Sequence, residues 1–230
     1  MRNMDLGINL TQVITVSAPR ILPEDVKRSD AVNSYLEKIL ELPQVQQTAS
    51  SSTLPGKGFS FYTNSIRKAG TDASSNISGA GTYIDSSFVN LYGLELVAGY
   101  ETINVPLPKS EEDIDFILTN ETAIKTLGFA TAEEALYQEI LIGGNRCEIV
   151  GVLKDFNWSS AHHDLERAFF FMEQGNENIS IKVNTIDLPE TIASIENQYK
   201  QLFPGNPFSY SFIDEPFASQ YRQDKRIAKL

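Results

Sequence analysis

The residue types best suited to chemistry are gathered around the only two histidines of the chain, His162 and His163. Asp155, Asp164 and Glu166 lie nearby and would supply carboxylates for a metal ion or for acid–base catalysis. Adjacent residues point in different directions on a strand or a helix, so the two imidazoles would not converge on one metal. No His-x-Glu or His-x-x-x-His spacing is present. The pattern favours a polar surface loop, and a hydrolase that uses Asp155 and His162 is the least favoured class of function.

Other sequence signatures of catalysis are missing. No serine lies in a Gly-x-Ser-x-Gly turn, and Cys147 falls in a predicted hairpin strand, where a free cysteine is usually buried. The glycine pairs at 56–58 and 79–81 lack the third glycine of a dinucleotide-binding loop, and no phosphate-binding motif occurs. The sequence therefore predicts no catalytic residue, no metal site and no cofactor, and a protein that is not an enzyme.

Composition narrows the classes of partner. The 230 residues carry 30 acidic and 19 basic side chains, a formal net charge of −11. Nucleic acid and anionic membrane surfaces are disfavoured as partners, because both attract clusters of Lys and Arg that this chain lacks. The apolar runs are far shorter than the roughly 20 residues of a membrane helix, and the first residues do not form a signal peptide. The hydrophobic fraction of 41% predicts a globular chain with its own core.

A first unit of strand, helix and strand is predicted near the start of the chain. Residues 9–19 are rich in Val, Ile and Thr, which is typical of a strand. Apolar residues from Val32 to Leu40 then follow helical spacing, and residues 45–53 are again extended.

A second unit repeats this order near the end of the chain. Residues 178–183 alternate as a strand, and 208–212 form another. Between them, Asp187 is predicted to cap a helix, with Glu190 in the capping-box position. Both predicted helices open with Leu-Pro-Glu. Two such βαβ-like units predict a four-stranded sheet with two helices on one face.

The middle of the chain is predicted to be a small inserted α/β lobe. It combines short helices at 86–93 and 120–128, a helix capped by Thr131, and a hairpin around the glycine-rich turn at 143–145. The predicted fold class is α+β. The predicted boundaries are 1–58 for the first half of the outer lobe, 59–165 for the linking strands and the inserted lobe, and 166–230 for the second half of the outer lobe.

Four segments, taken in order, resemble one family of membrane proteins. They are residues 5–13 (DLGINLTQV), 117–128 with the pattern Asn-Glu-x-Ala…Leu-Gly, 149–162 with Val-Gly-Val-x-Lys-Asp-Phe and Ser-Ala-His, and 208–226. The set is similar to the extracytoplasmic domain of FtsX-like, MacB-type ABC transporter permeases, in its Bacteroides-type form, over nearly the whole chain. Two positions depart from the family pattern, which commonly has Gly at the position of Tyr137 and Pro at that of Arg167.

The resemblance implies a periplasmic domain of an inner-membrane permease, present here as a soluble fragment. It implies a porter-like lobe with a small inserted lobe, which couples ATP-driven movement of the membrane helices to periplasmic substrate or partner handling, in efflux or mechanotransmission. His162 and Asp155 then become structural loop residues.

The resemblance also implies the partners. These are the membrane helices of the same chain, a second permease copy and a cytoplasmic ATPase, and the family pattern allows a periplasmic adaptor and an outer-membrane channel. The paired βαβ units by themselves leave one alternative open. This is a free-standing periplasmic module that binds a small molecule or a peptide between its lobes.

Overall fold

The structure, a computed structural model, describes residues 7–99, 114–158, 165–172, 177–184 and 187–214. These residues divide into two compact units. The split unit comprises the described residues of 10–51 and 174–230, and the ring unit comprises those of 1–9 and 52–173. Within the described ranges, no helix is both long enough and apolar enough to cross a membrane.

Eleven strands and five α-helices fall within the described residues. The strands are β1 (Val13–Ser17), β2 (Val45–Ser51), β3 (Phe61–Lys68), β4 (Ile77–Tyr83), β5 (Leu96–Gly99), β6 (Ile114–Asn120), β7 (Glu139–Ile142), β8 (Asn145–Leu153), β9 (Ala168–Phe171), β10 (Asn178–Val183) and β11 (Tyr210–Phe212). The helices are α1 (Arg28–Leu40), α2 (Phe88–Leu91), α3 (Glu121–Leu127), α4 (Ala132–Ala135) and α5 (Leu188–Leu202), and Ala73–Ser75 form a 3-10 turn. The predicted α+β class is confirmed.

The split unit contains a four-stranded sheet in which the two strand–helix–strand units interleave. The strand order is β11-β1-β10-β2, and every neighbouring pair is antiparallel. Strand β10 lies between β1 and β2, so that Ile181 is opposite both Ile14 and Thr48. The two strand–helix–strand units within this sheet therefore do not lie side by side as predicted. Each connection skips one place in the sheet, and a strand of the other unit fills it.

Helices α1 and α5 contribute their apolar stripes to one core with this sheet. Val32 and Ile39 of α1 and Ile195 of α5 are fully buried. They share the core with Ile14 and Val16, which are two residues apart and so point to the same side of β1. Burial of each such side chain is worth about 1.5–3 kcal/mol, and this packing is the main stabilisation of the split unit.

Two buried tyrosines add hydrogen bonds to this core. The rings of Tyr35 and Tyr199 meet edge to face, with centroids 5.5 Å apart. The Tyr35 hydroxyl donates to the carbonyl of Ile195 at 3.1 Å, and the Tyr199 hydroxyl donates to that of Ser17 at 3.1 Å. Burial raises the pKa of both phenols, and for Tyr35 the neighbouring Tyr199 raises the pKa further. The native packing therefore requires both hydroxyls to stay protonated.

The predicted capping box of α5 is wrong. Asp187 occupies the N-cap position, but its side chain makes no capping hydrogen bond with the described residues, and its φ of 51° is left-handed. Its carbonyl instead accepts hydrogen bonds from the amide and the hydroxyl of Thr191, at 2.9 and 3.1 Å. An N-cap residue that caps with its side chain typically has an extended backbone, which Asp187 lacks. Backbone geometry, which a composition pattern does not reveal, decides this cap.

The ring unit contains a seven-stranded sheet that closes on itself. Its order is β5-β8-β6-β9-β4-β3-β7, and β7 also pairs with β8. Six strands therefore form a closed ring, and β5 lies outside it as a third pairing partner of β8, besides β6 and β7. The helices described in this unit, α2, α3 and α4, have four to seven residues. The described part of the predicted small α/β lobe is thus mainly β-sheet.

Strand β9 corrects the predicted lobe boundaries. It pairs in parallel with β4 and antiparallel with β6, so it lies inside the ring unit. The second half of the outer lobe was predicted to begin at residue 166, whereas the contacts divide the chain after Glu173. The first division likewise falls after Ser51 and not after residue 58. Four consecutive buried residues in β9 give no alternating pattern from which this place in the sheet could be predicted.

One core of the ring unit is formed by residues of its sheet together with residues of α3 and α4. Ile66, Ile117 and Phe169 are almost completely buried in it. Gly79 on β4 faces this core, and a Cβ there would lie 2.7 Å from Cε2 of Phe169 and 2.8 Å from Cδ1 of Ile66. Only glycine fits at this position, because no heavy atom can approach a Cβ so closely without a shift of the core.

Tyr137 lies just before β7 with a φ of 60°, the left-handed region that favours glycine. Its amide donates to the carbonyl of Ile149 at 2.8 Å, which fixes the turn into the sheet. The resemblance noted above has Gly at this position. The structure therefore gives a physical reason for that pattern. With a tyrosine in place of glycine, the left-handed backbone conformation is less favourable by about 1–2 kcal/mol.

The buried tyrosines predict a loss of stability of the split unit at high pH. A phenol whose pKa is raised in the folded state contributes stability that is complete below its unfolded pKa of about 10 and is lost as the pH rises above it. Tyr35→Phe should lower the free energy of unfolding at pH 7 by about 1 kcal/mol, through loss of the bond to Ile195. The same variant should lose less stability than the wild type between pH 9.5 and pH 11.5.

Urea unfolding followed by far-UV circular dichroism at several pH values measures both effects. Tyr62→Phe, which changes an exposed tyrosine, is the control and should follow the wild-type pH curve. Parallel pH curves for Tyr35→Phe and the wild type would show that this phenol does not couple to folding.

Candidate functional site

Only part of the predicted candidate set lies within the described residues. His162, His163 and Asp164 lie outside them. Asp155 and Glu166 are described, and no group of three or more His, Cys, Asp or Glu side chains in the described ranges could hold a metal ion. The role of Asp155 and Glu166 follows instead from their own contacts.

The Asp155 carboxylate caps the first turn of α3. One of its oxygens, Oδ1, accepts hydrogen bonds from the amide of Thr122 and from Nδ2 of Asn120, both at 2.9 Å. The other oxygen accepts a bond from the Thr122 hydroxyl at 2.8 Å. The Asp155 amide donates to Oε2 of Glu121 at 3.1 Å. A carboxylate suits this place, because the start of a helix presents unsatisfied N–H groups.

Asn120, at the end of β6, is the centre of this arrangement and is only 1% exposed. Besides Asp155, its Nδ2 donates to the carbonyl of Glu166 at 2.9 Å. Its Oδ1 accepts from the amides of Ala123 at 3.3 Å and Ala168 at 3.1 Å. We call this set of contacts the Asn120–Asp155 junction. Its hydrogen bonds connect four places in the chain. These are the end of β6, the start of α3, Asp155 just after β8, and the start of β9.

The junction explains two of the segments that resemble the permease family. Asn120 begins the Asn-Glu-x-Ala segment, and Asp155 belongs to the Lys-Asp-Phe segment. Nδ2 of the first donates a hydrogen bond to Oδ1 of the second at 2.9 Å. Since the polar atoms of both side chains are engaged with backbone and side-chain partners, the arrangement is suited to positioning chain segments. This agrees with a structural role for Asp155.

A second, aromatic cluster includes Phe170, which alternates with Phe169 along β9 and so lies on the opposite face of that strand. Trp158 stacks on Phe59 with centroids 4.8 Å apart, and it also contacts Phe88 and Phe170. Trp158 is 4% exposed, and its indole N–H has no hydrogen-bond partner in the part of the chain that the structure describes. Because the chain contains one tryptophan, its fluorescence reports on the ring unit alone.

A surface groove of about 580 Å³ lies beside this cluster and is the candidate binding site. We call it the Tyr62 groove. It is lined by Tyr62 and Asn64 of β3, Ser78 and Ala80 of β4, and Glu166 and Arg167 before β9. In the sheet, Tyr62 is opposite Ala80, and Ala80 is opposite Ala168. Small side chains next to a large ring therefore create the depression.

The groove is not predictable from the sequence patterns described above. Glu166 was considered as a carboxylate for a metal or acid–base site, and Arg167 only as a departure from the family pattern. Tyr62 is exposed on β3, where side chains alternate between the two faces of the strand. The missing signal is the pairing of β3, β4 and β9, which brings residues about a hundred positions apart in sequence to one surface.

Cys147 lies on β8 and is completely buried. Burial is the main cause that raises the pKa of its thiol to about 12, and the nearby Asp115 carboxylate contributes to the same shift. Its Sγ makes a weak contact with the carbonyl of Asn145 at 3.8 Å. A nucleophilic cysteine needs a lowered pKa and access to solvent, so this thiol is suited to packing.

The Asn120–Asp155 junction predicts that removal of the Asn120 side-chain amide strongly destabilises the ring unit. Asn120→Ala should lower the free energy of unfolding of the ring unit by about 3 kcal/mol, because it removes a helix cap and leaves buried backbone groups at Glu166 and Ala168 without partners. Urea unfolding followed by Trp158 fluorescence measures this loss. Asn90→Ala, at an exposed asparagine of α2, is the control and should stay within about 0.5 kcal/mol of the wild type. Equal losses in the two variants would contradict a special role for Asn120.

Cys147 predicts an inert thiol in the native state. With a pKa of about 12, only about one thiol in 10⁴ is ionised at pH 8. An aromatic disulfide reagent should therefore label the folded chain far more slowly than free cysteine, and labelling should accelerate in step with unfolding by urea. Labelling of the folded chain at the rate of free cysteine would contradict the burial of this side chain.

Comparisons with known proteins bear on the fold. No protein-family model matches the sequence, and no curated protein matches it. The periplasmic region of MacB from Actinobacillus actinomycetemcomitans has a TM-score of 0.58 at 11% identity, and the match covers 98% of this chain and 97% of that one. A domain assigned to a permease protein of Porphyromonas gingivalis has a TM-score of 0.57 at 13% identity, with 88% and 91% covered. The extracellular domain of the ABC-type transporter YknZ from Gram-positive bacteria has a TM-score of 0.51 at 14% identity, with 87% and 100% covered.

At identities this low, the likenesses establish the fold alone. They confirm, at that level, the resemblance that the ordered sequence segments predict. The Bacteroides-type assignment stays a prediction. The chain has the fold of the periplasmic and extracellular domains of MacB-type ABC transporter permeases.

Proposed function

We propose that the chain is the extracytoplasmic domain of an ABC transporter permease and that it couples ATP-driven movement of membrane helices to the handling of a substrate or partner outside the membrane. The observation that carries this proposal is the shared fold with three transporter domains over 87–98% of the chain. The proposed partners are the membrane helices of the same permease, a second permease copy and a cytoplasmic ATPase. A periplasmic adaptor and an outer-membrane channel are further partners in the efflux form of the proposal.

The geometry of the split unit supports this coupling. Strands β1 and β11 are antiparallel neighbours, so the start of β1 lies beside the end of β11. The amide of Ile213 donates to the carbonyl of Val13 at 3.3 Å, and the side chains of Thr15 and Ser211 share a hydrogen bond of 2.8 Å. Two membrane helices that precede β1 and follow β11 would therefore pull on adjacent strands. Their relative movement would act directly on one strand pair.

The proposal assigns no catalysis to the chain. The Asp155 carboxylate is held by three hydrogen bonds at the start of α3, and Cys147 is buried with a raised pKa. Hydrolysis of ATP would take place on the cytoplasmic partner. The proposed place of the chain is the periplasm, as a domain of an inner-membrane protein.

A second candidate is a free-standing binding module, and the Tyr62 groove favours it. A volume of about 580 Å³ lies within the range of small-ligand sites. This groove lies within the ring unit, whereas the paired βαβ units predict a ligand between two lobes. A ligand present at 100 times its Kd should raise the free energy of unfolding by about 2.7 kcal/mol, which a thermal-shift screen detects.

A reporter experiment tests the membrane topology. Alkaline phosphatase or green fluorescent protein is inserted at the exposed turn Ala73–Ser75 of the complete gene product in a bacterial host. If the permease proposal holds, the phosphatase fusion is active and the green fluorescent protein fusion is not fluorescent. Both fusion proteins then remain in the membrane fraction after carbonate washing. Fluorescence at this position, or release of the product into the soluble fraction, would contradict it. The same reporters fused to the partner ATPase give the opposite signals and serve as the control.

A further inference from the structure

The Tyr62 groove contains an aromatic ring that is exposed and yet held in place. Tyr62 is 63% exposed. Its hydroxyl accepts a hydrogen bond from the amide of Phe59 at 3.4 Å, and its ring meets that of Phe59 edge to face at 6.3 Å. Phe59 in turn stacks on the buried Trp158. A ring fixed in this way offers apolar surface to a ligand with little loss of side-chain entropy on binding.

Hydrogen bonds within the protein also hold Glu166 and Arg167, the charged residues of the groove, in position. The Glu166 carbonyl accepts a hydrogen bond from Asn120 of the junction at 2.9 Å. The Arg167 carbonyl accepts one from the amide of Ala80 at 2.9 Å, and Nε of Arg167 donates to the carbonyl of Ser78. The backbone at 166–167 and the Arg167 side chain are therefore fixed before any ligand arrives, which is what a preorganised site requires.

A β-bulge shapes the remaining wall of the groove. The register between β3 and β4 shifts between Thr63 and Ile66, and Asn64 lies within this irregularity. Bulges bend a strand and redirect its side chains, and they are common beside binding sites. The amide of Asn64 is exposed next to Tyr62, so the bulge adds a group that can both donate and accept hydrogen bonds.

The polar groups of the groove define the chemistry of its ligand. Arg167 only donates hydrogen bonds, Glu166 as a carboxylate only accepts them, and Asn64 and Ser78 do both. The single positive and the single negative charge balance, so the groove has no preference for a charged ligand. A matching ligand is neutral, carries several groups that donate and accept at once, and has one flat apolar face for the Tyr62 ring. Sugar rings have these properties.

We propose that the Tyr62 groove binds a neutral oligosaccharide, with one sugar ring on Tyr62 and its hydroxyl groups bonded to Asn64, Glu166 and Arg167. An extended peptide fits less well, because peptides that add to a sheet need a free strand edge. Here β3 is paired with β4 and β7, and β4 is paired with β3 and β9. The inference is independent of the permease proposal, because the binding is a property of the chain itself.

Titration of the full chain with maltotriose, cellotriose and chitotriose tests this inference. At least one of these should bind saturably, with a Kd near or below about 1 mM, as measured by calorimetry and by Trp158 fluorescence, which senses Tyr62 through Phe59. Tyr62→Ala and Asn64→Ala should each weaken binding by about fivefold or more, and Arg167→Met by about tenfold. Tyr62→Phe should keep the affinity within about twofold, because it loses the weak bond from the Phe59 amide but retains the ring and its edge-to-face contact with Phe59.

The matched control is Tyr137→Ala, which removes a second exposed tyrosine outside the groove and should leave the Kd unchanged. Asn64→Ala changes an exposed residue and keeps the test valid if Tyr62→Ala does not fold. The proposal is overturned if none of the three sugars shows saturable binding with a Kd near or below about 1 mM, the affinity expected of a preorganised site. It is also overturned if Tyr62→Ala and Asn64→Ala bind as tightly as the wild type, or if an uncharged tripeptide binds the groove and the sugars do not.

Discussion

The ring unit depends on one buried amide. A side-chain amide has two donors and an oxygen that accepts two bonds, and all four are used at Asn120. Each unmet buried group would cost about 1–3 kcal/mol, so the amide specifies the positions of α3, Asp155 and β9 together. The exposed face of the sheet follows from this buried constraint. Glu166 and Arg167 lie where they do because the segment before β9 is bonded to Asn120 on its inner side.

The split unit has a different constraint, which is the interleaving of its two halves. Strand β10 lies between β1 and β2, and β11 pairs with β1, so all three strand pairings of this sheet join the two distant segments of the unit. Non-local pairing of this kind is slow to form, because the loop-closure entropy is lost before the strand contacts are gained. The two buried tyrosines then join the helices to each other and to the sheet. Tyr35 contacts α5, and Tyr199 contacts the end of β1.

The sequence predicts the periodic elements well and the pairing poorly. Helices α1 and α5 have a 3.6-residue apolar period, and β10 alternates, so their types follow from the sequence alone. Strand β9 has four consecutive buried residues, and such a run is compatible with a strand or with a buried helix. The ring closure through β7 and β8 depends on contacts between distant strands, for which a single sequence holds no direct signal.

The candidate site was the least predictable feature, for the same reason. Asp155 is near two histidines in the sequence, which suggests acid–base chemistry, but its hydrogen bonds go to Asn120 and Thr122. Tyr62 and Arg167 come together only because β4 lies between β3 and β9. Residue types limit what a site can do, whereas the site itself exists only after the strands are paired.

The charge of the chain and that of the groove lead to different expectations about ligands. A net charge of −11 attracts cations over the whole surface, but at physiological ionic strength such attraction fades within about 8 Å. Within the groove, Glu166 and Arg167 are adjacent and of opposite sign, so their fields largely cancel at a bound molecule. Affinity at this site would then come from the Tyr62 ring and from hydrogen bonds, and it would change little with salt. A ligand held by the overall acidity of the chain would be released by salt, and this difference separates specific occupancy of the groove from a general attraction to the acidic surface.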